Sequence, residues 1–467
     1  MSGTNHPAPR IGLGLAALMF AGSSTTLLEF ALNLGIPGIE ASTGATAAMI
    51  TVAILGYNLA SGAPRILTAK LGDRIGQKAV FRYGLILFII ACAVCALAPS
   101  ALVLIIGRVT LGFSAALMCP QVFALMRLVY APGPHLTRSV ALYSAISGSA
   151  GLAGQLLTGA LITFTPPAVG WRLAFTLNAV AGIAALWFVR ALPDVRTPHV
   201  QSGRLDVLGS LLVSAGLVGI TLPLALGSDD GWPLWTWAMI GAGVALIALF
   251  AAHQRYRAAR GRVPLLDLRV FAHSPGLVPA LGSVAVYFVI LSGSALGYAL
   301  YLEARGWSAL EVASVFGVLN IGFLCPPLVE KPFRKRFPSV SVAVPGGLLM
   351  IAGFGMVGAV ALAWSVPLFM AGLVVAGLGM GLSMAAVWDD ATAAVPERHA
   401  GTGSGLTNTI QENGSALGVA VAGIAYFGAR TAALGLVWVS VLLIAAAVAQ
   451  TGLSWLYGRR MAARERS

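Results

Sequence analysis

Three ionisable side chains interrupt long apolar stretches of this chain and are its first candidates for chemistry. They are Glu29, Arg108 and Glu412. A charge within a hydrocarbon layer is costly and is normally kept for function. A carboxyl group in such surroundings can hold either a proton or a cationic substrate, and the fixed charge of Arg108 can alter a nearby carboxylate's proton affinity. Glu29 is therefore the first candidate for proton coupling, Arg108 its modulator, and Glu412 a second proton or substrate site; the alternative for each is a structural role between helices.

Two further carboxylates, Asp389 and Asp390, close another apolar stretch. The C-terminal end of a helix disfavours anions because its free carbonyl groups carry partial negative charge. We therefore expect this pair to bind basic loop residues or to start the next turn. A role in cation binding or gating is the alternative.

A charged segment, LTAKLGDRIGQK, holds Lys70, Asp73, Arg74 and Lys78, although only 10% of the chain is charged. Gly72 allows the preceding helix to end in a tight turn. Asp73 and Arg74 can then pair or cap locally. The basic residues also anchor the topology of the chain, and anchoring alone is the alternative interpretation.

The elements that must position these residues are membrane-spanning helices. The chain has 467 residues and is 58% hydrophobic, which is more apolar surface than a soluble domain of this length can bury. A helix needs roughly 20 apolar residues to cross the hydrocarbon layer, because its backbone hydrogen bonds must be closed internally. We predict an all-α polytopic membrane protein with about fourteen spans, at residues 12–36, 45–67, 83–99, 101–126, 139–163, 172–192, 206–226, 233–253, 278–302, 309–329, 340–362, 366–388, 405–429 and 433–456.

The distribution of basic residues predicts the orientation of these spans. About 24 of the 29 Lys and Arg residues fall in one alternating set of loops. Such asymmetry predicts that both termini lie in the cytoplasm and that the protein is in the inner (plasma) membrane. The net charge of +13 then reflects loops that face anionic lipid of the bilayer rather than a nucleic-acid partner.

Two polar segments, at residues 190–206 and 253–276, divide the predicted spans into six, two and six. A degenerate echo of the charged segment, EKPFRKRF, follows the tenth span, as a repeated bundle would produce. We predict an N-terminal six-helix bundle at residues 1–198, two extra helices with linkers at 199–262, and a C-terminal six-helix bundle at 263–467.

Several of these stretches resemble motifs of one transporter family. LGDRIGQK resembles the signature between the second and third helices of the major facilitator superfamily. NLGIP at 33–37, RVTLG at 108–112 and GTGSGLTNTIQENGSALGVAVAG at 401–423 resemble motifs of its fourteen-helix drug:proton antiporter branch. The resemblance implies the major facilitator fold, in which two six-helix bundles rock around a central site, here with two extra central helices.

The resemblance also implies roles for particular residues. In the first helix of the family, an acidic residue commonly lies nine residues before the proline of the motif that NLGIP resembles. Leu28 holds that position here. Glu29 follows it, and one residue corresponds to a rotation of about 100° around the helix axis. Asp73 would reach the N-terminus of the thirteenth helix, near residues 401–405, in one of two access states. The family's gating loop corresponds to Gly72, Asp73, Arg74, Gly76 and Lys78.

The fifth predicted span carries a variant of the family's antiporter motif. The sequence GQLLTG stands where the motif reads roughly G-P-x-x-G-G, so Gln155 replaces the proline. Small residues at four-residue spacing let a neighbouring helix approach closely. The residues concerned are Gly151, Gly154, Gln155 and Gly159. They form either a seal between the domains, as in the family, or an ordinary packing surface between helices.

Enzyme, metal and nucleotide sites are not indicated. All six histidines lie in loops or at helix ends, and no zinc-protease, serine-hydrolase or P-loop motif is present. Cys92 and Cys95 form a C-x-x-C pair inside a predicted span, without a second pair, so packing is expected. We expect no enzyme activity, no cofactor and no metal, and transport that runs on an ion gradient or downhill.

These observations predict a proton-coupled antiporter that exports lipophilic, cationic drugs or secreted metabolites by alternating access. Its partners would be a small-molecule substrate, protons and the lipid bilayer, and it would act as a monomer. Export of a lipid or of one specific natural product is an alternative. A membrane sensor that moves nothing is another, because the antiporter motif is altered.

Overall fold

The computed structural model describes residues 16–20, 24, 28, 32, 34–62, 64–129, 139, 146, 153–154, 156–192, 206–227, 231–262, 264–265, 274, 276–322, 335–336, 341–361, 363–394 and 400–465. Regular structure within these ranges is helical throughout. The α-helices, in chain order, are α1 (Ile36–Thr43), α2 (Ala47–Gly62), α3 (Arg65–Ile75), α4 (Gln77–Ala96), α5 (Ala101–Val129), α6 (Pro167–Phe188), α7 (Val207–Leu226), α8 (Leu234–Ala259), α9 (Leu277–Ala304), α10 (Ala309–Ile321), α11 (Ala343–Ala359), α12 (Val366–Ala393), α13 (Ala400–Phe427) and α14 (Ala432–Glu465).

Eight helical segments of the described residues are long and apolar enough to cross a membrane. Helices α10 and α11 are shorter apolar helices, and α1 forms an angle of 117° with α2. The predicted fold class, an all-α polytopic membrane protein, is therefore confirmed, whereas the count of fourteen spans stays a prediction. The eight segments are Gln77–Ala96, Ala101–Met126, Pro167–Ala191, Val207–Leu224, Leu234–Ala259, Leu277–Ala304, Val366–Ala393 and Ala432–Met461.

The second predicted span, residues 45–67, is divided in the structure. Helix α2 ends at Gly62, and α3 begins at Arg65 with Pro64 as its N-cap. Proline lacks an N–H group and clashes with the preceding turn, which favours a break beside Pro64, although α5 and α7 continue through Pro120 and Pro223. Helix α3 then runs to Ile75, and most of the charged segment that we expected to be a loop is helical.

Capping side chains set the start of two helices in the second half of the chain. Ser308 and Glu311 form a reciprocal capping box at the start of α10. The hydroxyl of Ser365 accepts a hydrogen bond from the Leu368 N–H at the start of α12. Both arrangements satisfy backbone donors that have no partner within the first turn of a helix.

The chain divides into two compact units, Met1–Ser210 and Leu211–Ser467. In the first unit, α5 packs against α2 and α4, and α4 also packs against α6. In the second, α9 packs against α13 and α14, and α11 packs against α12 and α14. Glycines permit close helix contacts within both units, since Gly84 lies against Met118 and Gly418 against the backbone of Val289. The predicted domain boundaries at 198 and 262 stay predictions.

Candidate functional site

The Arg108 side chain joins three parts of the first unit. It lies on α5 and is only 1% exposed. Its Nη1 group donates to the Leu28 carbonyl oxygen at 3.4 Å, and its Nε group donates to the Ala53 carbonyl oxygen of α2, also at 3.4 Å. The guanidinium carbon lies 4.6 Å from the centre of the Tyr57 ring, where a cation is attracted to the face of the ring. Backbone carbonyls and an aromatic face thus hold a positive charge inside the helix bundle.

Gly112 makes this arrangement possible. It follows Arg108 by four residues and therefore lies on the same face of α5. A side chain at this position would overlap the carbonyl oxygen of Tyr57 and would come within 3.0 Å of the Ala60 Cβ atom. The absence of a side chain lets α5 lie directly against α2. Neither Tyr57 nor Gly112 was among the candidates from the sequence; the four-residue spacing of Arg108 and Gly112 in RVTLG is the signal that could have indicated Gly112.

Glu29, Gly151 and Gln155 lie outside the described residues. Leu28, the residue before Glu29, is fully buried and accepts the Arg108 hydrogen bond.

The charged segment does not turn at Gly72, which corrects our expectation. Helix α3 continues through this residue, and the Gly72 carbonyl oxygen accepts a helical hydrogen bond from the Gly76 N–H at 2.9 Å. The turn occurs at Gly76, whose φ of 101° is rare for residues with a side chain. Gly72 instead leaves room for Gln121 of α5, whose Nε2 group donates to the Thr68 carbonyl oxygen at 2.9 Å.

Side-chain hydrogen bonds stabilise α3 and α4 on either side of the turn at Gly76. The Asp73 Oδ1 atom accepts a hydrogen bond from the Gln77 Nε2 group at 3.1 Å. Partial burial raises the pKa of the Asp73 carboxyl, and the Gln77 hydrogen bond and the charge of Lys70 offset part of this increase. Lys78 donates to the carbonyl oxygen of Leu192, beyond the end of α6. The side chain of Arg74, next to Asp73, is exposed.

Glu412 lies on α13 and is 9% exposed. The neighbouring Asn413 is also buried, and its Nδ2 group donates to the Thr409 carbonyl oxygen one turn earlier at 2.7 Å. The Asn413 Oδ1 atom is buried without a hydrogen-bond partner. An unsatisfied acceptor beside a buried carboxyl group is unusual, since buried polar atoms normally have partners. The Asn413 Oδ1 atom can therefore accept a hydrogen bond from a donor group.

Asp389 and Asp390 do not close their helix, which corrects our expectation. Helix α12 continues to Ala393. The Asp389 side chain is exposed, whereas Asp390 is 6% exposed and accepts a hydrogen bond from the Ser341 hydroxyl at 2.6 Å. Ser341 precedes Val342, the N-cap residue of α11, at an end of the helix where the dipole favours a negative charge. Asp390 thus has a structural partner, and a role of either residue in cation binding stays a prediction.

The described part of the fifth predicted span places its small residues inside the protein. Gly154 and Gly159 are buried. Thr158, where the family motif has a glycine, is fully buried, and its hydroxyl oxygen has no hydrogen-bond partner. Burial agrees with both roles that we expected, packing between helices and a seal between domains.

Comparisons with known proteins place this chain in a family. The sequence profile of the Major Facilitator Superfamily matches residues 18–419. The probable actinorhodin transporter of Streptomyces coelicolor is 30% identical over 412 residues, which are 85% of this chain and 69% of the relative. The puromycin resistance protein pur8 of Streptomyces alboniger is 29% identical over 442 residues, which are 92% of this chain and 84% of the relative.

A solved structure shares the fold. The crystal structure of an auto-inhibited POT family peptide transporter matches with a TM-score of 0.69 at 16% identity, over 97% of both chains. At this identity the likeness concerns the fold alone. The two Streptomyces relatives agree with the drug:proton antiporter branch that the motifs indicate. This chain belongs to the major facilitator superfamily, a family of membrane transporters rather than enzymes.

Proposed function

We propose that this protein exports lipophilic, cationic drugs or secreted metabolites across the plasma membrane in exchange for protons. The relatives are a probable actinorhodin transporter and a puromycin resistance protein, which supports export of such compounds. Both termini lie in the cytoplasm in this proposal, the protein acts as a monomer, and it works by alternating access.

The contact between Arg108 and Leu28 carries the proposal. It brings a buried cation to Leu28, the residue that precedes Glu29 in the sequence, and Glu29 is the acid of the first predicted span. A positive charge near a carboxyl group favours release of its proton, and a change in their separation alters that preference. Glu29 then holds a proton in one access state and releases it in the other, while the cationic substrate takes the vacated negative charge.

Inward proton movement supplies the driving force. A pH difference of one unit supplies about 1.4 kcal/mol per proton, and the membrane potential adds about 2.3 kcal/mol per 100 mV for each net charge when more protons than substrate charges cross. Glu412 and Asn413 of α13 are a second candidate site for the substrate or a second proton, because both side chains are buried and polar.

Transport into proteoliposomes tests this function. Purified protein is reconstituted with an acidic interior, and uptake of a fluorescent lipophilic cation such as ethidium is followed. Exchange of one proton for one cation predicts about tenfold accumulation per pH unit, since one unit corresponds to 1.36 kcal/mol. Nigericin, which dissipates the pH gradient, should abolish accumulation.

Other outcomes would contradict parts of the proposal. Uptake that is indifferent to the pH gradient would show transport without proton coupling. An absence of uptake for a broad panel of cations, with movement of labelled phospholipid between leaflets, would contradict drug export and favour the lipid alternative. An absence of both movements would favour the sensor.

A further inference from the structure

A groove at one end of α4 and α6 combines basic and apolar side chains. Its volume is about 440 Å³, which is within the range of small-molecule sites. It lies where α4 begins and where the 3-10 turn Val189–Ala191 follows α6, at the end of the helix pair that the basic loops predict to be cytoplasmic. Lys78, Arg82, Tyr83, Ile86, Leu186, Val189 and Arg190 line it.

The charge of this groove has one sign. Lys78, Arg82 and Arg190 contribute three positive charges, and none of the seven described lining residues is acidic. Lys78 and Arg82 are four residues apart in the first turns of α4, where like charges repel and the helix dipole disfavours cations. These two costs are both reduced when an anion binds beside the two side chains.

The apolar surface that continues from the groove identifies the kind of anion. On α4, Ile86 and Ile90 are 38% and 52% exposed, and they follow Arg82 at four-residue spacing. On α6, Ile183 and Trp187 are 57% and 66% exposed, and they precede Arg190 on the same face. Two exposed apolar stripes therefore run from the basic groove along helices that are long enough to cross the membrane.

Aromatic rings flank the charges at this position. The Arg190 guanidinium lies 4.6 Å from the centre of the Trp187 ring, and that of Arg82 lies 5.6 Å from the centre of the Tyr83 ring. Tryptophan and tyrosine prefer the level of the lipid headgroups. A soluble anion would gain nothing from the apolar stripes, whereas a phospholipid places its phosphate between the cations and its acyl chains along the isoleucines. Basic pockets of this kind between helices bind anionic headgroups.

We propose that this groove, lined by Lys78, Arg82 and Arg190, binds an anionic phospholipid such as phosphatidylglycerol, with its acyl chains against α4 and α6. The site is separate from Arg108 and Glu412, so it does not depend on the proposed transport activity. Because Lys78 also contacts Leu192 near the turn at Gly76, the bound lipid stabilises this end of the first unit.

Native mass spectrometry of the full chain in neutral detergent tests the site. Phosphatidylglycerol is titrated against the wild type and against the double variant Arg82→Gln/Arg190→Gln. We expect the variant to bind the first lipid about 30-fold more weakly, since each cation near an anionic headgroup contributes roughly fivefold. Phosphatidylcholine, which has no net charge, should bind both proteins equally weakly.

The chain offers a matched control. Arg260 and Arg459 are exposed, lie near helix ends and stack on Tyr256 and Trp455 at 4.3 and 4.7 Å, but they do not line the groove. The variant Arg260→Gln/Arg459→Gln should retain the wild-type affinity. A variant with both groove arginines changed to lysine should also retain most of it, because a lysine charge binds phosphate.

Three results would overturn the proposal. Equal loss in the control and groove variants would show that only the overall charge matters. Equal binding of the two lipids by the wild type would exclude selection of a negative headgroup. Full displacement of the lipid by millimolar glycerol phosphate would show a site for a soluble phosphate rather than for a lipid.

Discussion

At the scale of single residues, backbone carbonyl groups and an aromatic ring stabilise the buried charge of Arg108. Two of its nitrogens donate to backbone carbonyls, and Tyr57 presents its ring to the guanidinium. A planar group with several donors in fixed directions can make all these contacts together, whereas a lysine ammonium cannot. The identity of this residue therefore matters beyond its charge.

We predict that Arg108→Lys lowers cation uptake driven by a pH gradient about tenfold. The variant loses at least one hydrogen bond from a charged donor, which contributes about 1.5 kcal/mol. The proteoliposome assay measures the change. Arg305→Lys is the control, because Arg305 also stacks on an aromatic ring, Trp364, but is exposed. Unchanged uptake by Arg108→Lys would contradict a role for the guanidinium geometry.

The turn between α3 and α4 allows a second prediction. Gly76 has a φ of 101°, and no neighbouring atom lies within 4 Å of the position that a Cβ atom would take. Gly76→Ala therefore changes only backbone strain, with a cost of about 1–3 kcal/mol. We expect a lower midpoint temperature of thermal unfolding for the purified protein in detergent.

Gly241 of α8 is the matched control for this measurement. Its Cβ position is also free of neighbours within 4 Å, but its φ is not positive. Alanine in a helix is favoured over glycine by up to about 1 kcal/mol, so Gly241→Ala should be neutral or stabilising. A Gly76→Ala protein as stable as the wild type would show that the turn tolerates a side chain.

At the scale of helices, the contact between α2 and α5 positions the buried arginine. We predict that Gly112→Ala separates the two helices, weakens the Arg108 contact with Ala53 and reduces uptake at least severalfold. The clash is with backbone, which cannot move as a side chain can, and overpacking of this kind costs about 1–3 kcal/mol. Thermal unfolding and uptake are measured on the same preparations.

Gly355 of α11 provides the control for this helix contact, because its Cβ position has no neighbour within 4 Å. Gly355→Ala should retain both stability and uptake. Wild-type uptake by Gly112→Ala would indicate that the close approach of α2 and α5 serves packing alone.

At this scale, the position of the end of α3 could not be predicted from the sequence. Gly72 and Gly76 lie four residues apart, and the charges between them suggested a turn at the first glycine. The structure places the turn at the second, because the Gly72 carbonyl still accepts a helical hydrogen bond from Gly76. Local composition does not indicate which of two glycines ends a helix, and the role of Gly72, which leaves room for Gln121 of α5, depends on a residue far away in the sequence. The contact of Asp390 with Ser341 was not predictable either, because the two residues are 49 positions apart in the sequence.

At the scale of the whole molecule, the fold class was predictable from composition because a bilayer constrains the chain so strongly. Apolar stretches of sufficient length must be helices, since unpaired backbone groups are not tolerated in hydrocarbon. The candidate site was predictable in part: Arg108 and Glu412 are buried polar residues, as expected. The partners of Arg108 were not predictable, because Leu28 and Ala53 contribute backbone carbonyl groups, which every residue has, and Tyr57 is one of many aromatic residues in the chain.

The central claim is that Glu29 exchanges a proton for the substrate, and proton release from everted vesicles tests it most directly. Vesicles with an acidic interior receive a panel of lipophilic cations while a pH-sensitive dye reports proton efflux, for the wild type, Glu29→Gln, Glu412→Gln and the exposed control Glu40→Gln. We predict substrate-dependent release by the wild type and by Glu40→Gln, and none by Glu29→Gln. Release that survives in Glu29→Gln but not in Glu412→Gln would contradict the claim and place the proton on α13.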